Sequence, residues 1–299
     1  MKVVETVSEA GRIIRKFRKA EETLGLVPTM GDLHEGHLSL VRISLERCQR
    51  TAVSIFVNPR QFGPAEDLDR YPRNEERDLR LLKELGVDLV FMPGDRDIYS
   101  SRDRTRVHVK SVTEHLCGAH RPGHFEGVAL IVAKLFNIIS PDIAFFGQKD
   151  AQQAVVIQRM TADLDFPVRI ELGPIVREDN GLAMSSRNRY LSSEQRMRAG
   201  SIYQGLEKAR QAVIRGERSG AAVCSIIKEA VEAGGLRLEY AEVADGGSMV
   251  PVERISGKVL LAVAAFLNEV RLIDNMALDV KDEGAEEILL EFPEWSRYG

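Results

Sequence analysis

No long apolar run, basic excess or cysteine framework occurs in this 299-residue sequence, and each absence removes a class of function. No stretch approaches the roughly 18–20 apolar residues of a membrane-spanning helix. Met1 to Arg18 alternates apolar and charged side chains, unlike the continuous apolar stretch of a secretory signal. A cytoplasmic protein without membrane contact is expected. The net charge is −4, with the two signs interleaved, so no basic stripe marks a nucleic-acid partner. Three cysteines (Cys48, Cys117, Cys224) are too few and too scattered for a disulfide scaffold or a zinc site. Cys48 and Cys224 read as small apolar fillers on helices. There is no internal repeat, no low-complexity tract and no Gly-x-x-x-x-Gly-Lys-Ser/Thr phosphate loop. What remains is an ordinary globular composition, 44% hydrophobic and 29% charged, in a chain long enough for two domains.

From residue 24 to 172, short β-branched runs alternate with helical patterns. Strands are expected at Ala52–Val57, Val87–Met92, Asp142–Phe146 and Val168–Leu172. Helices are expected at Asn74–Leu85, Gly127–Ile139 and Lys149–Met160. Asn74 is placed as an N-cap, and Gly86 as the residue that closes its helix. Such alternation predicts a parallel sheet covered on both faces, with functional groups just past the carboxyl ends of its strands. After Leu172 the pattern changes to a loop (residues 174–188), one long helix (Ser192–Arg215), a second (Ala221–Ala233) and three short strands. The expected fold is therefore α/β: a Rossmann-like N-terminal domain (1–175), a smaller α+β C-terminal domain (176–283) and a tail (284–299). That tail is acidic, then apolar and aromatic through Phe292 and Trp295.

Three segments hold phosphate-binding chemistry. Pro28-Thr29-Met30-Gly31-Asp32-Leu33-His34-Glu35-Gly36-His37-Leu38 reads as strand, glycine-bearing turn and helix. That layout aims backbone N–H groups and the positive helix end at an anion, and two imidazoles there can bridge phosphate oxygens. Phe146-Gly147-Gln148-Lys149-Asp150 places a lysine where a strand opens into a helix. Met184-Ser185-Ser186-Arg187-Asn188 gathers hydroxyls, a guanidinium and an amide on a loop that could wrap a triphosphate. Taken singly, each could be a solvated turn, a surface lysine or a serine cap; together they point to a nucleoside triphosphate. Gln61, after the strand Ala52–Val57, could bond a small polar substrate against the apolar wall of Phe62. Arg121 and His124, in Arg121-Pro122-Gly123-His124-Phe125-Glu126-Gly127, are close enough to serve one anion.

His-x-Gly-His after a strand is the signature of the nucleotidylyltransferase superfamily. In order and spacing, PTMGxLHEGH, SIFVNPxQF, RPGHFEGV, FGQKD and VREDNGLAMSSRN resemble the pantoate–β-alanine ligase family over residues 1 to about 280. The resemblance implies an ATP-dependent ligase. Pantoate and ATP give pantoyl adenylate and pyrophosphate, then β-alanine displaces AMP. It implies that His34 and His37 contact the phosphates and stabilise the pentacoordinate α-phosphorus. Lys149, Ser185, Ser186 and Arg187 would hold the triphosphate; Met30, Gly31, Gly36, Gly147, Asp150, Val176 and Met184 would complete the ATP site. Gln61 and Gln153 would hydrogen-bond pantoate, with Pro28, Thr29 and Arg121 beside it. Mg²⁺ accompanying ATP and a homodimer are further implications. The departures are small: Ala151 stands where an aromatic is expected, and Asp32 takes a variable position. A nucleotidylyltransferase lacking an amine acceptor, and a silent nucleotide-binding regulator, are the competing classes. A triphosphate shared by the histidine turn and the serine loop would bridge two domains, so ligand-driven closure is expected.

Overall fold

The computed structural model describes residues 1–64, 66–282 and 284–290; Phe292 and Trp295 fall outside the described residues. Six parallel strands make the first sheet: β1 (Lys2–Val4), β2 (Leu24–Thr29), β3 (Arg50–Ile55), β4 (Leu89–Phe91), β5 (Ile143–Gly147) and β6 (Arg169–Gly173). Their order is β1-β4-β3-β2-β5-β6. The chain thus works outward from β2 through β3 and β4, then restarts at β5 on the other side. Neighbours β2 and β5 flank the point where the order reverses, and a crevice opens beyond their carboxyl ends.

Helices cover both faces. On one lie α1 (Val7–Lys19), α6 (His124–Ile139) and α7 (Ala151–Asp163); on the other, α2 (Glu35–Arg47) and α3 (Glu75–Leu85). Two single-turn helices, α4 (Asp95–Ile98) and α5 (Leu116–His120), lie on the connection from β4 to α6. As expected, α3 starts at Asn74, whose side chain accepts the Arg77 N–H, and stops at a left-handed Gly86. The N-terminal strand and α1 have weaker signals in sequence. A capping box between Thr6 and Glu9 starts α1, which buries only Ala10 and Ile14. Cys48 is not on a helix; it is the extended residue that caps α2, buried beside β3.

The second sheet is antiparallel, with β7 (Arg237–Asp245), β8 (Gly257–Leu267), β9 (Val270–Lys281) and β10 (Gly284–Ile288) in the order β10-β9-β8-β7. Its central strands β8 and β9 are longer than expected because both their faces are buried, so alternation is masked by continuous apolar runs. Along β8, Val259, Leu261 and Val263 pack on the helical layer, while Leu260 and Ala262 join the core of the parallel domain. The expected helix over residues 192–215 is two helices, α8 (Ser193–Ala199) and α9 (Ser201–Ile214), followed by α10 (Gly220–Ala233). The break falls where the Asn180 side chain donates to the Arg196 carbonyl at 2.7 Å, in competition with the Gly200 N–H. The stretch set apart as a tail from residue 284 begins instead as β10, paired with β9.

Candidate active site

The turn after β2 is built from the inside by α3. Gly31 takes a left-handed φ of 81°, which a side chain would strain. Both oxygens of buried Asp78 accept backbone N–H groups, from Asp32 at 2.7 Å and Leu33 at 2.9 Å. Arg77 donates to the Leu33 carbonyl at 2.8 Å. Burial raises the Asp78 carboxyl pKa; the two N–H bonds oppose that shift. The turn therefore delivers His34 as the N-cap of α2 and His37 one turn on.

The imidazoles lie 4.0 Å apart, centre to centre. His34 Nδ1 accepts the Gly36 N–H at 3.1 Å, and His37 Nδ1 accepts the His34 N–H at 3.3 Å. With each Nδ1 accepting, each neutral ring carries its proton on Nε2. Burial pushes His34 down to about 3, helped by His37 and Lys149, and pushes His37 down to about 4, helped by Lys149. The pair presents two neutral N–H donors. The glycine between them is required by contact: a Cβ at Gly36 would lie 2.9 Å from His34 Cε1.

Lys149 follows β5, across the crevice from the histidines. The carbonyls of Gln148 and Lys149 both accept from the Asn275 side-chain amide of β9, at 2.9 Å each. The expected helix from Lys149 begins instead at Ala151, after a single 3-10 turn over Gln148–Asp150. The third segment is a hairpin in which Met184 N–H donates to the Val176 carbonyl at 2.9 Å. Arg177 ties it to Asp274 of β9 with contacts of 2.5 and 3.1 Å. Adjacent residues of one strand thus anchor both the lysine turn and the serine hairpin.

The protein's own groups dock the serine loop on the histidine turn. Ser186 Oγ donates to the Asp32 carbonyl at 3.0 Å, and Arg189 lies 2.8 Å from the buried Asp32 carboxylate. Tyr190 Oη donates to the Arg70 carbonyl at 2.6 Å. These contacts already join the serine loop to the histidine turn without a ligand. Asp32, read as a variable position, is therefore a structural link.

One cleft of about 220 Å³ collects Pro28, Thr29, Met30, His34, Gly36, His37, Gln61, Arg121, Gly147, Lys149, Asp150, Gln153, Val176, Met184, Ser185, Ser186 and Arg187. It adjoins a second space of about 540 Å³ that shares Arg121, Lys149, Asp150, Ser185 and Arg187. Together they have the capacity of a ligand site, roughly 300–1,000 Å³. Gly31 alone among the expected residues is off the wall, buried behind the turn it shapes.

Three expectations change in detail. Arg187 is not an isolated cation: its guanidinium is held by both oxygens of Asp67 at 2.7 and 2.8 Å. Arg121 likewise grips Glu66 at 2.5 and 2.7 Å. Burial raises both carboxyl pKa values, but the arginines outweigh it and both end lowered. His124 does not join Arg121 in cationic anion binding. Burial pushes it down to about 4, its Nε2 faces Arg121 at 3.1 Å, and its Nδ1–H donates to the Gln61 carbonyl at 2.8 Å. Gln61 is thereby oriented, its Oε1 accepting from buried Asn58 at 3.0 Å. Glu66, Asp67, Asp78, Asp274 and Asn275 were missed because their partners are distant in sequence.

Comparison with known proteins gives one answer. The profile described as pantoate-beta-alanine ligase matches residues 2–277. A pantothenate synthetase of Thermoanaerobacter sp. (strain X514) is 50% identical over 277 residues, 92% of this chain and 98% of its own. That of Moorella thermoacetica is 47% identical over 283 residues, 94% of this chain and 100% of its own. The solved pantothenate synthetase of Thermus thermophilus matches with a TM-score of 0.86 at 44% identity, over 92% of this chain and 98% of its own. A pantoate-beta-alanine ligase from Francisella tularensis, solved with beta-gamma ATP and beta-alanine, matches at 0.77 and 30% identity, over 92% of this chain and 97% of its own. By sequence over nearly its whole length, and by fold, this chain belongs to the pantoate–β-alanine ligase family.

Proposed function

We propose that this cleft joins pantoate to β-alanine in two steps at the expense of ATP. The observation that carries the reading is the meeting of His34, His37, Lys149 and the serine loop at the reversal point of the sheet. A carboxylate is a poor acyl donor; adenylation gives it a good leaving group. Pantoate would lie against Pro28 and Thr29, hydrogen-bonded by Gln61 and Gln153. Its carboxylate would attack the α-phosphorus while His34 and His37 donate Nε2–H bonds to the growing negative charge. Because both rings are neutral, they stabilise charge as hydrogen-bond donors and not as cations.

Lys149 would counter the charge of the departing pyrophosphate, with Ser185 and the Asp67-held Arg187 as hydrogen-bond donors to it. Ser186 spends its proton on the Asp32 carbonyl, so it serves by fixing the loop. The adenosine would lie along Met30, Gly147, Asp150, Val176 and Met184. The β-alanine amine would then attack the acyl carbon and release AMP, with Arg121 beside the site. Among the described residues no three His, Cys, Asp or Glu side chains cluster to hold a metal. Mg²⁺ would accordingly be held by the nucleotide phosphates and water, and would screen their charge. Among those residues, too, no helix is long and apolar enough to cross a membrane. A cytoplasmic homodimer is part of the proposal, checked by light scattering of the purified protein.

The chemistry is tested with Mg-ATP, pantoate and hydroxylamine. Pyrophosphate release that depends on pantoate, with a trapped pantoyl hydroxamate, is the expected result. Formation of ADP and phosphate would instead mean an acyl phosphate. A nucleotidylyltransferase would form no hydroxamate, and a silent regulator would release neither product.

A further inference from the structure

The strand β10 lies past residue 277, where the family match ends, and it reaches back to the lysine turn. Two backbone groups at its end, the Ile288 carbonyl and the Leu290 N–H, meet one side chain. Gln148 Nε2–H donates to the Ile288 carbonyl at 3.3 Å, and Leu290 N–H donates to Gln148 Oε1 at 2.8 Å. The amide thus imitates one more strand residue at the end of β10. Both partners are sealed from water: Gln148 is 3% exposed and Leu290 is 1% exposed, its side chain in the core of the parallel domain.

Gln148 is not on the cleft wall. It immediately precedes Lys149, and its own carbonyl is held from β9 by Asn275. The 3-10 turn over Gln148–Asp150 is therefore gripped twice, through its backbone by β9 and through a buried side chain by the strap. An unpaired buried amide would be costly, so the two ends of Gln148 have few other places to go.

We propose that residues 284–290 form a strap that uses Gln148 as a positioning residue, fixing the turn that aims Lys149 across the crevice at His34 and His37. The proposal rests on the reading of Lys149 as a phosphate-binding group. It makes the C-terminal strand part of the adenylation apparatus without touching substrate.

The test uses full-length protein with Gln148→Met, which keeps the side-chain length but neither hydrogen bond, with Leu290→Ala, and with both together. Gln148→Met is expected to lower the rate of pantoate-dependent pyrophosphate release about five- to tenfold, the scale of one or two lost hydrogen bonds. Leu290→Ala, which keeps its backbone N–H but loses its buried side chain, is expected to lower it in the same direction. Amide formation from supplied pantoyl adenylate should stay near the unmodified rate. The double variant should be no slower than the worse single variant, because Gln148→Met removes the hydrogen bonds of the strap and Leu290→Ala its buried anchor, and either change undoes the same docked segment. Amide exchange across residues 145–153 should quicken in all three. Multiplying losses in the double variant, equal losses in both half-reactions, or unchanged exchange across 145–153 would each overturn the strap. Failure of the unmodified protein to release pyrophosphate would refute the ligase reading instead, and the exchange comparison would still decide whether the strap holds the turn.

Discussion

His34 and His37 each spend one ring nitrogen on backbone and keep the other as a donor, and this division depends on the rings staying neutral. The same physics makes His124 a usable probe of buried imidazole. Its pKa is pushed down to about 4 by burial and by Arg121, against about 6.5 in an unfolded chain. Between those values the unfolded chain takes up a proton that the fold refuses. Stability from this group is therefore complete above about pH 6.5 and falls as the pH drops toward about 4. His124→Asn retains an N–H donor for the Gln61 carbonyl but cannot be protonated. Its urea midpoint relative to the unmodified protein should rise steadily from pH 7 to pH 4.5; a constant difference would mean that His124 titrates normally. At this scale the sequence was informative for groups that line the cleft, because their spacing repeats a family pattern. It was silent about Asp67 on Arg187 and Glu66 on Arg121, since a guanidinium's partner is chosen by the fold and not by spacing.

Among the elements, α3 and β9 matter more than their sequences suggest. The segment Glu75–Leu85 reads as an ordinary amphipathic surface helix, yet its Asp78 closes the histidine turn with two backbone hydrogen bonds. Asp78→Asn keeps one acceptor and turns a donor toward the other N–H. A loss of about 1–3 kcal/mol in urea unfolding is expected, together with slower adenylation at nearly unchanged ATP affinity. Unchanged stability in that variant would show that the turn holds its shape unaided. Strand β9 was legible only in part, as the last of the three short strands expected after the two C-terminal helices. Burial on both faces removed the alternation that marks a strand, and Asp274 and Asn275 look like a turn until their partners Arg177 and residues 148–149 are in view. The single helix expected over residues 192–215 failed for a similar reason: the group that interrupts it, Asn180, is not on it.

As a whole, the molecule is a parallel sheet whose crevice is walled by a second sheet standing on the same core. The alternation of strands and helices was enough to expect the first sheet and the place of its site. The docking of the second sheet was not legible, because Leu260, Ala262 and Ala277 differ in no visible way from the residues that face the other side. That docking changes the expectation of movement. Ser186, Arg189 and Tyr190 already join the loop to the parallel domain. Hydrogen exchange across residues 186–190 should be slow in the free protein and gain little when ATP is added. Fast exchange that ATP suppresses would restore ligand-driven closure.

The proposed chemistry stands or falls on His34 and His37 acting as neutral donors to charge that develops only in the transition state. The decisive experiment is single-turnover formation of pyrophosphate by His34→Ala and His37→Ala, with ATP binding measured alongside. The expected result is a fall of about 10²–10³-fold in rate for each variant with ATP affinity nearly unchanged. A rate close to that of the unmodified protein, or a loss confined to ATP affinity, would contradict it.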